Sequence, residues 1–151
     1  MKLEEAIQST KPMSPHQRAL LNVLYTASWL DCLLHRTLRP YNITLPQYNI
    51  LRILHGSAPK GLSMLDIKSR MLDRSSNVSR LVEKLRLSTL VERIASGDDR
   101  RMVVVTISEP GRQILNAIAQ ILERDEKMIA GGALSAQDAA HLADLLDCFR
   151  E

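Results

Sequence analysis

The sequence predicts a mainly α fold with one small β-hairpin, in the order four helices, hairpin, two helices. Three observations predict it. Apolar residues recur at helical spacing over most of the chain, the period shortens to two over residues 90–107, and most periodic stretches open on a capping residue. At 151 residues the chain is long enough for one domain with additional arms for assembly.

Residues 1–13 carry no strong periodicity and are expected to form a flexible arm. Ser14-Pro15 opens a long helix, because proline is tolerated in a first turn whose N–H groups lack partners anyway. It runs to about Leu38 and is closed by Pro40. Its apolar residues include Leu20, Leu21, Leu24, Ala27, Leu30, Cys32, Leu33 and Leu34, more than one stripe, so it needs more than one packing partner. Thr44-Leu45-Pro46-Gln47 caps a second helix to about His55, with Tyr48, Leu51, Ile53 and Leu54 turned inward. Residues 56–61 form a loop. Ser63-Met64-Leu65-Asp66 has the shape of a capping box and starts a short helix that ends near Leu72. A fourth helix begins at Ser75 or Ser76 and runs to about Leu87.

Leu90 to Ile94 and Met102 to Ile107 are the strands, joined through Ser96-Gly97-Asp98. Val103, Val105 and Ile107 share one face, and Met102, Val104 and Thr106 the other. Ser108 caps a fifth helix, with Pro110 in its first turn, to about Ala130 and a break at Gly131-Gly132. Ser135 caps the last helix, which carries Leu142, Leu145, Leu146 and Phe149. Helix, turn, helix and hairpin together describe a winged helix-turn-helix. The expected divisions are an arm over 1–13, an N-terminal helix over 14–40, the winged unit over 41–112 and C-terminal helices over 113–151.

Charge is uneven. Residues 60–112 hold eleven Lys/Arg against seven Asp/Glu, whereas residues 113–151 hold three against seven. A basic block beside an acidic tail suits a polyanion partner at one end only. Two cysteines, Cys32 and Cys148, are too few and too distant to suggest a disulfide framework. The polar, acidic start Met1-Lys2-Leu3-Glu4-Glu5 lacks a signal-peptide pattern, and no apolar run approaches the ~20 residues of a membrane span. A soluble, cytoplasmic chain is expected. No glycine-rich phosphate loop, metal-ligand cluster or nucleophile–base pair stands out, so neither an enzyme nor a cofactor is expected.

On a wheel of 3.6 residues per turn, Val78, Leu81, Val82 and Leu85 define the buried side of the fourth helix. Ser76, Arg80 and Glu83 lie opposite, with Asn77 and Lys84 on one shoulder and Ser79 on the other. The free face is therefore small and hydrogen-bonding at its N-terminal end and cationic beyond it. Such a helix can dock by that end into a DNA major groove, where Arg pairs with guanine and Asn with adenine. Arg100 and Arg101 at a hairpin tip suit a narrow minor groove, whose negative potential is enhanced. Asp99 beside them can orient a guanidinium through a bidentate pair.

In this order the pieces resemble the MarR (multiple antibiotic resistance regulator) transcription factors. Leu45-Pro46-Gln47-Tyr48-Asn49-Ile50-Leu51-Arg52-Ile53-Leu54 is similar to the family's opening helix. Ser75-Ser76-Asn77-Val78-Ser79-Arg80-Leu81-Val82-Glu83-Lys84-Leu85 is similar to its recognition helix. Leu90-Val91-Glu92-Arg93, Asp99-Arg100-Arg101, Val105-Thr106-Ile107-Ser108 and Gly111 resemble the wing. The resemblance implies a homodimeric regulator of transcription, a repressor on a pseudo-palindromic operator, with the terminal helices as dimerisation elements. It implies double-stranded DNA at Ser75, Ser76, Asn77, Ser79, Arg80, Lys84, Asp99, Arg100 and Arg101. Three positions depart from the family pattern: Thr89 stands where glycine is usual, Lys68 where a small apolar residue is usual, and Ser108 where threonine is usual.

Many relatives bind small aromatic molecules between the dimerisation and DNA-binding parts. The candidate lining here is Trp29, His35, Tyr41, Tyr48 and His55, although five aromatics in 151 residues do not make an aromatic-rich pocket. A peroxide sensor through Cys32 is the alternative; its leucine neighbours suggest burial, which keeps a thiol inert. His16, His35, His55 and His141 are dispersed, so no metal site is expected. A winged helix used only for protein–protein contact is the remaining rival.

Overall fold

A computed structural model of the chain describes residues 2–95, 103–129 and 134–151. Within them the order is α1 (Leu3–Ala6), α2 (Pro15–Leu38), a 3₁₀ turn (Arg39–Tyr41), α3 (Leu45–His55), α4 (Met64–Arg70) and α5 (Val78–Leu87). Strands β1 (Val91–Ala95) and β2 (Val103–Ile107) follow, then α6 (Glu109–Ile129) and α7 (Ala136–Cys148). The mainly helical architecture with one small antiparallel pair is the predicted one.

Capping chemistry sets the starts of these helices. The Ser14 hydroxyl accepts the Gln17 N–H at 3.2 Å while the Gln17 amide oxygen accepts the Ser14 N–H at 3.1 Å. Ser135 and Asp138 make the same reciprocal pair at the start of α7. At α4 only half of the expected box forms: Ser63 accepts the Asp66 N–H, but the Asp66 carboxylate takes the Ser63 hydroxyl proton. Pro40 does end α2, inside the 3₁₀ turn.

The segment expected as an arm is different in the structure. Residues 3–6 form a helical turn whose Leu3 is buried, and Glu4 pairs with Arg18 of α2 at 2.6 Å. A single buried leucine produces no periodicity, which is why the sequence pattern shows nothing there.

The core lies between α3, α4, α5 and the hairpin. Ile50, Leu51, Leu54, Ile67, Val82, Leu85, Val91 and Val105 are all essentially inaccessible. Burying each such side chain stabilises the fold by roughly 1.5–3 kcal/mol. The cluster extends past both ends of the 41–112 unit, taking in Leu38 from α2 and Leu115 and Ile118 from α6. The terminal helices are therefore continuous with the winged unit's core at their inner ends.

Val91 pairs with Ile107 and Ala95 with Val103 across the hairpin. A third strand-like stretch joins it where the sequence suggested only loop. Leu62 exchanges both backbone bonds with Val105, at 2.9 and 2.8 Å. Val104 is buried together with Val105 and Ile107, while Val103 is exposed. Gly61 makes the approach possible. Its φ is +69°, and a Cβ there would stand 2.7 Å from Thr106 Cγ2 and 2.8 Å from the Val105 carbonyl oxygen.

Candidate nucleic-acid interface

The site is built on α5. Val78, Val82 and Leu85 are buried and Leu81 is half-buried, so the predicted wheel is the observed one. Ser79, Arg80 and Lys84 are exposed on the other side. The helix starts later than the sequence suggested, at Val78 rather than Ser75 or Ser76. Asp73 is the reason. Its carboxylate accepts the Ser75 N–H at 2.9 Å and the Ser75 and Ser76 hydroxyls at 2.7 and 3.0 Å, which holds residues 73–76 in a turn. These bonds, led by the Ser75 hydroxyl, hold the Asp73 carboxyl below the usual aspartate range. Both hydroxyl protons are thus committed, leaving Ser75 and Ser76 as acceptors for any further partner.

Asn77 is the N-cap of α5, its side-chain oxygen accepting the Arg80 N–H at 3.1 Å. Its amide NH₂ keeps its two donors. Arg80 and Lys84 have no acidic partner among the described residues, in contrast to Arg86, which forms a forked pair with Glu83 at 2.7 and 3.1 Å. Glu83 also reaches Arg93 of β1 at 3.5 Å. One side of α5 is therefore stitched to the hairpin by neutralised charges, and the cations nearer its N-terminus stay free.

A hollow of about 560 Å³ separates α4 from the start of α5; Met64, Leu65, Lys68 and residues 75–79 line it. The structure thereby gathers Ser75, Ser76, Asn77 and Ser79 with Lys68. Arg80 and Lys84 continue along the exposed face. Asp99, Arg100 and Arg101, expected at the hairpin tip, lie outside the described residues.

The hairpin stem is clamped to the helices. Thr89 adopts φ +59°, the left-handed conformation its place in the sequence demands although glycine is usual there. The Ser108 hydroxyl donates to the Thr89 carbonyl at 2.7 Å and accepts the Gly111 N–H at 3.1 Å, while the Ser108 N–H reaches the Leu90 carbonyl at 3.1 Å. Serine thus performs the cap without the missing methyl group. The position of α6 against the strand requires Gly111, since a Cβ there would stand 2.2 Å from the Leu90 carbonyl oxygen.

The five residues suggested for a small-molecule site do not converge. His35 lines two hollows, of about 280 and 430 Å³, on either side of the end of α2. Trp29, Tyr41, Tyr48 and His55 line neither of these. Tyr48 is buried in the core with its hydroxyl accepting from Arg52 at 3.4 Å, Tyr41 packs against that core, and Trp29 and His55 are exposed. Cys32 is also exposed, contrary to the burial its leucine neighbours suggested. It sits on the outward side of α2, while Leu33 and Leu34 turn partly inward.

The profile of the MarR family matches residues 41–102, the stretch from the 3₁₀ turn through β1. Over that stretch the chain is similar to the MarR family. YhbI of Bacillus subtilis, an uncharacterised HTH-type transcriptional regulator, is 30% identical over 87 residues, covering 58% of this chain and 55% of YhbI. The chain spans about half the length of the curated relatives it matches. Solved MarR-like structures share the fold over nearly its full length. MepR of Staphylococcus aureus, in complex with DNA, superposes with a TM-score of 0.76 at 18% identity, covering 90% of this chain and 96% of MepR. BpsR of Bordetella bronchiseptica, whose DNA binding is regulated by 6-hydroxynicotinic acid, gives 0.74 at 18% identity, covering 93% and 99%. Among the described residues no helix is long and apolar enough to cross a membrane.

Proposed function

We propose that this chain is a MarR-type, sequence-specific, homodimeric regulator of transcription, a repressor that binds a pseudo-palindromic operator in the cytoplasm. One observation carries the reading: the exposed face of α5 presents Asn77, Ser79, Arg80 and Lys84 with no acidic partner among the described residues, while the neighbouring Glu83 is consumed by Arg86 and Arg93. Free donors at that end suit base edges, and free cations suit phosphates. MepR bound to DNA supports it by likeness of fold. Two such helices would enter successive major grooves about 34–36 Å apart. Asp99 would orient Arg100 or Arg101 in the adjoining minor groove.

A small-molecule effector fits the same reading. The hollows beside His35 lie where α2 meets α3, between the terminal helices and the winged unit, and BpsR responds to a small aromatic acid.

The test is selection of bound duplexes from random DNA, followed by salt titrations of the winner and of a scrambled duplex. Arg80→Ala is expected to narrow the gap between the two duplexes, since it removes a base contact worth roughly 1–3 kcal/mol. Arg101→Ala is expected to weaken both and to flatten the salt dependence. Absence of any salt-sensitive binding would leave the winged helix as a protein–protein module.

A further inference from the structure

We propose that Lys68 is a DNA-backbone anchor, its ammonium taking one phosphate in the hollow between α4 and α5. The proposal rests on the DNA-binding reading above and adds to it a residue outside the recognition helix and wing. α4 packs through Ile67 and Met71, both buried, so a rotation of about 100° per residue sets Lys68 on the shoulder of that stripe, toward α5. It is exposed there and lines the hollow opposite Ser75–Ser79.

The charge around it is decisive. The two nearest carboxylates in sequence are occupied elsewhere: Asp66 holds the Ser63 hydroxyl, and Asp73 holds Ser75 and Ser76. No acidic group pairs with Lys68 among the described residues, and no acidic residue lines the hollow. A cation facing the Asn77 amide and the Ser79 hydroxyl fits a single anionic group, while the Ser75 and Ser76 hydroxyl protons are held by Asp73 and take no part. The hollow shares Asn77 and Ser79 with the base-reading face, so a backbone phosphate would sit there when α5 lies in the major groove. A lysine contributes a point charge with rotatable donors, which suits positioning rather than base discrimination.

The experiment compares wild type, Lys68→Ala and Lys68→Arg on the selected duplex and on random duplex, each titrated with salt. Losing one phosphate contact in each protomer of the dimer is expected to reduce the slope of log K against log salt by about 1.8. Lys68→Ala should weaken both duplexes by a similar factor, leaving their ratio intact, and Lys68→Arg should restore the slope. A scan of duplexes carrying one neutral methylphosphonate should find a linkage that weakens the wild type but not Lys68→Ala. Thermal melting confirms that the exposed substitution leaves the fold intact. An unchanged slope in a folded Lys68→Ala, with wild type still binding DNA, overturns the anchor alone. A wild type that binds no duplex overturns both the anchor and the function on which it rests.

Discussion

Asn77 and Asp73 show how single residues shape the interface. Asn77 closes the first turn of α5 with its oxygen and keeps its amide protons for another partner. Asp73 spends its carboxylate on Ser75 and Ser76, which delays the helix. Gly111 is a case of exclusion instead of contact. With 2.2 Å between its would-be Cβ and the Leu90 carbonyl oxygen, Gly111→Ala must push α6 away from the strand. We expect a loss of about 1–3 kcal/mol, typical of overpacking, read as a lowered denaturation midpoint. An unaltered midpoint would mean that α6 is not held at this distance.

At the scale of elements, the turn between α4 and α5 sets where the recognition helix begins. Its stability depends on pH in a direction the hydrogen bonds determine. The Asp73 carboxyl is held below its ordinary value in the folded chain, so its contribution is present above about pH 3.9 and is lost as pH falls through the lowered value. Asp73→Asn should therefore melt below wild type at neutral pH, with the gap closing as acidification protonates the carboxylate. Melting curves across that range test it; a gap that persists unchanged at low pH would remove the carboxylate from the account. The hairpin illustrates a limit of pattern reading. Period two places both strands correctly, yet gives no sign that Leu62 adds a third backbone to β2 or that Val104 is buried along with Val105. Nothing local marks Leu62 as strand, since its partner lies 43 residues away at Val105.

For the whole molecule, the core explains the winged unit and leaves the terminal helices unsatisfied. Leu20, Leu24, Tyr25, Trp29 and Leu30 of α2 are 41–58% exposed, and Leu142 and Leu145 of α7 with Phe149 just beyond it are 45–56% exposed. Apolar surface on that scale usually marks an interface. The dimer of the proposed function would cover it, as the breadth of the apolar faces in the sequence suggests. Leu24→Glu combined with Leu145→Glu should give a folded monomer by sedimentation and weaken operator binding far more than binding to an isolated half-site. A variant that remains dimeric with unaltered operator affinity would move the interface elsewhere.

By itself the sequence determined the order of the long helices, the hairpin, and the inward and outward sides of α5. These follow from periodicity, capping and backbone sterics, which act over a few residues. Tertiary structure decided the rest: the start of α5, the burial of Leu3 and Val104, the exposure of Cys32, the scattering of Trp29, Tyr41, Tyr48 and His55, and the hollow that brings Lys68 beside Ser75–Ser79. Each depends on which distant segment comes to lie alongside, and no local period carries that information.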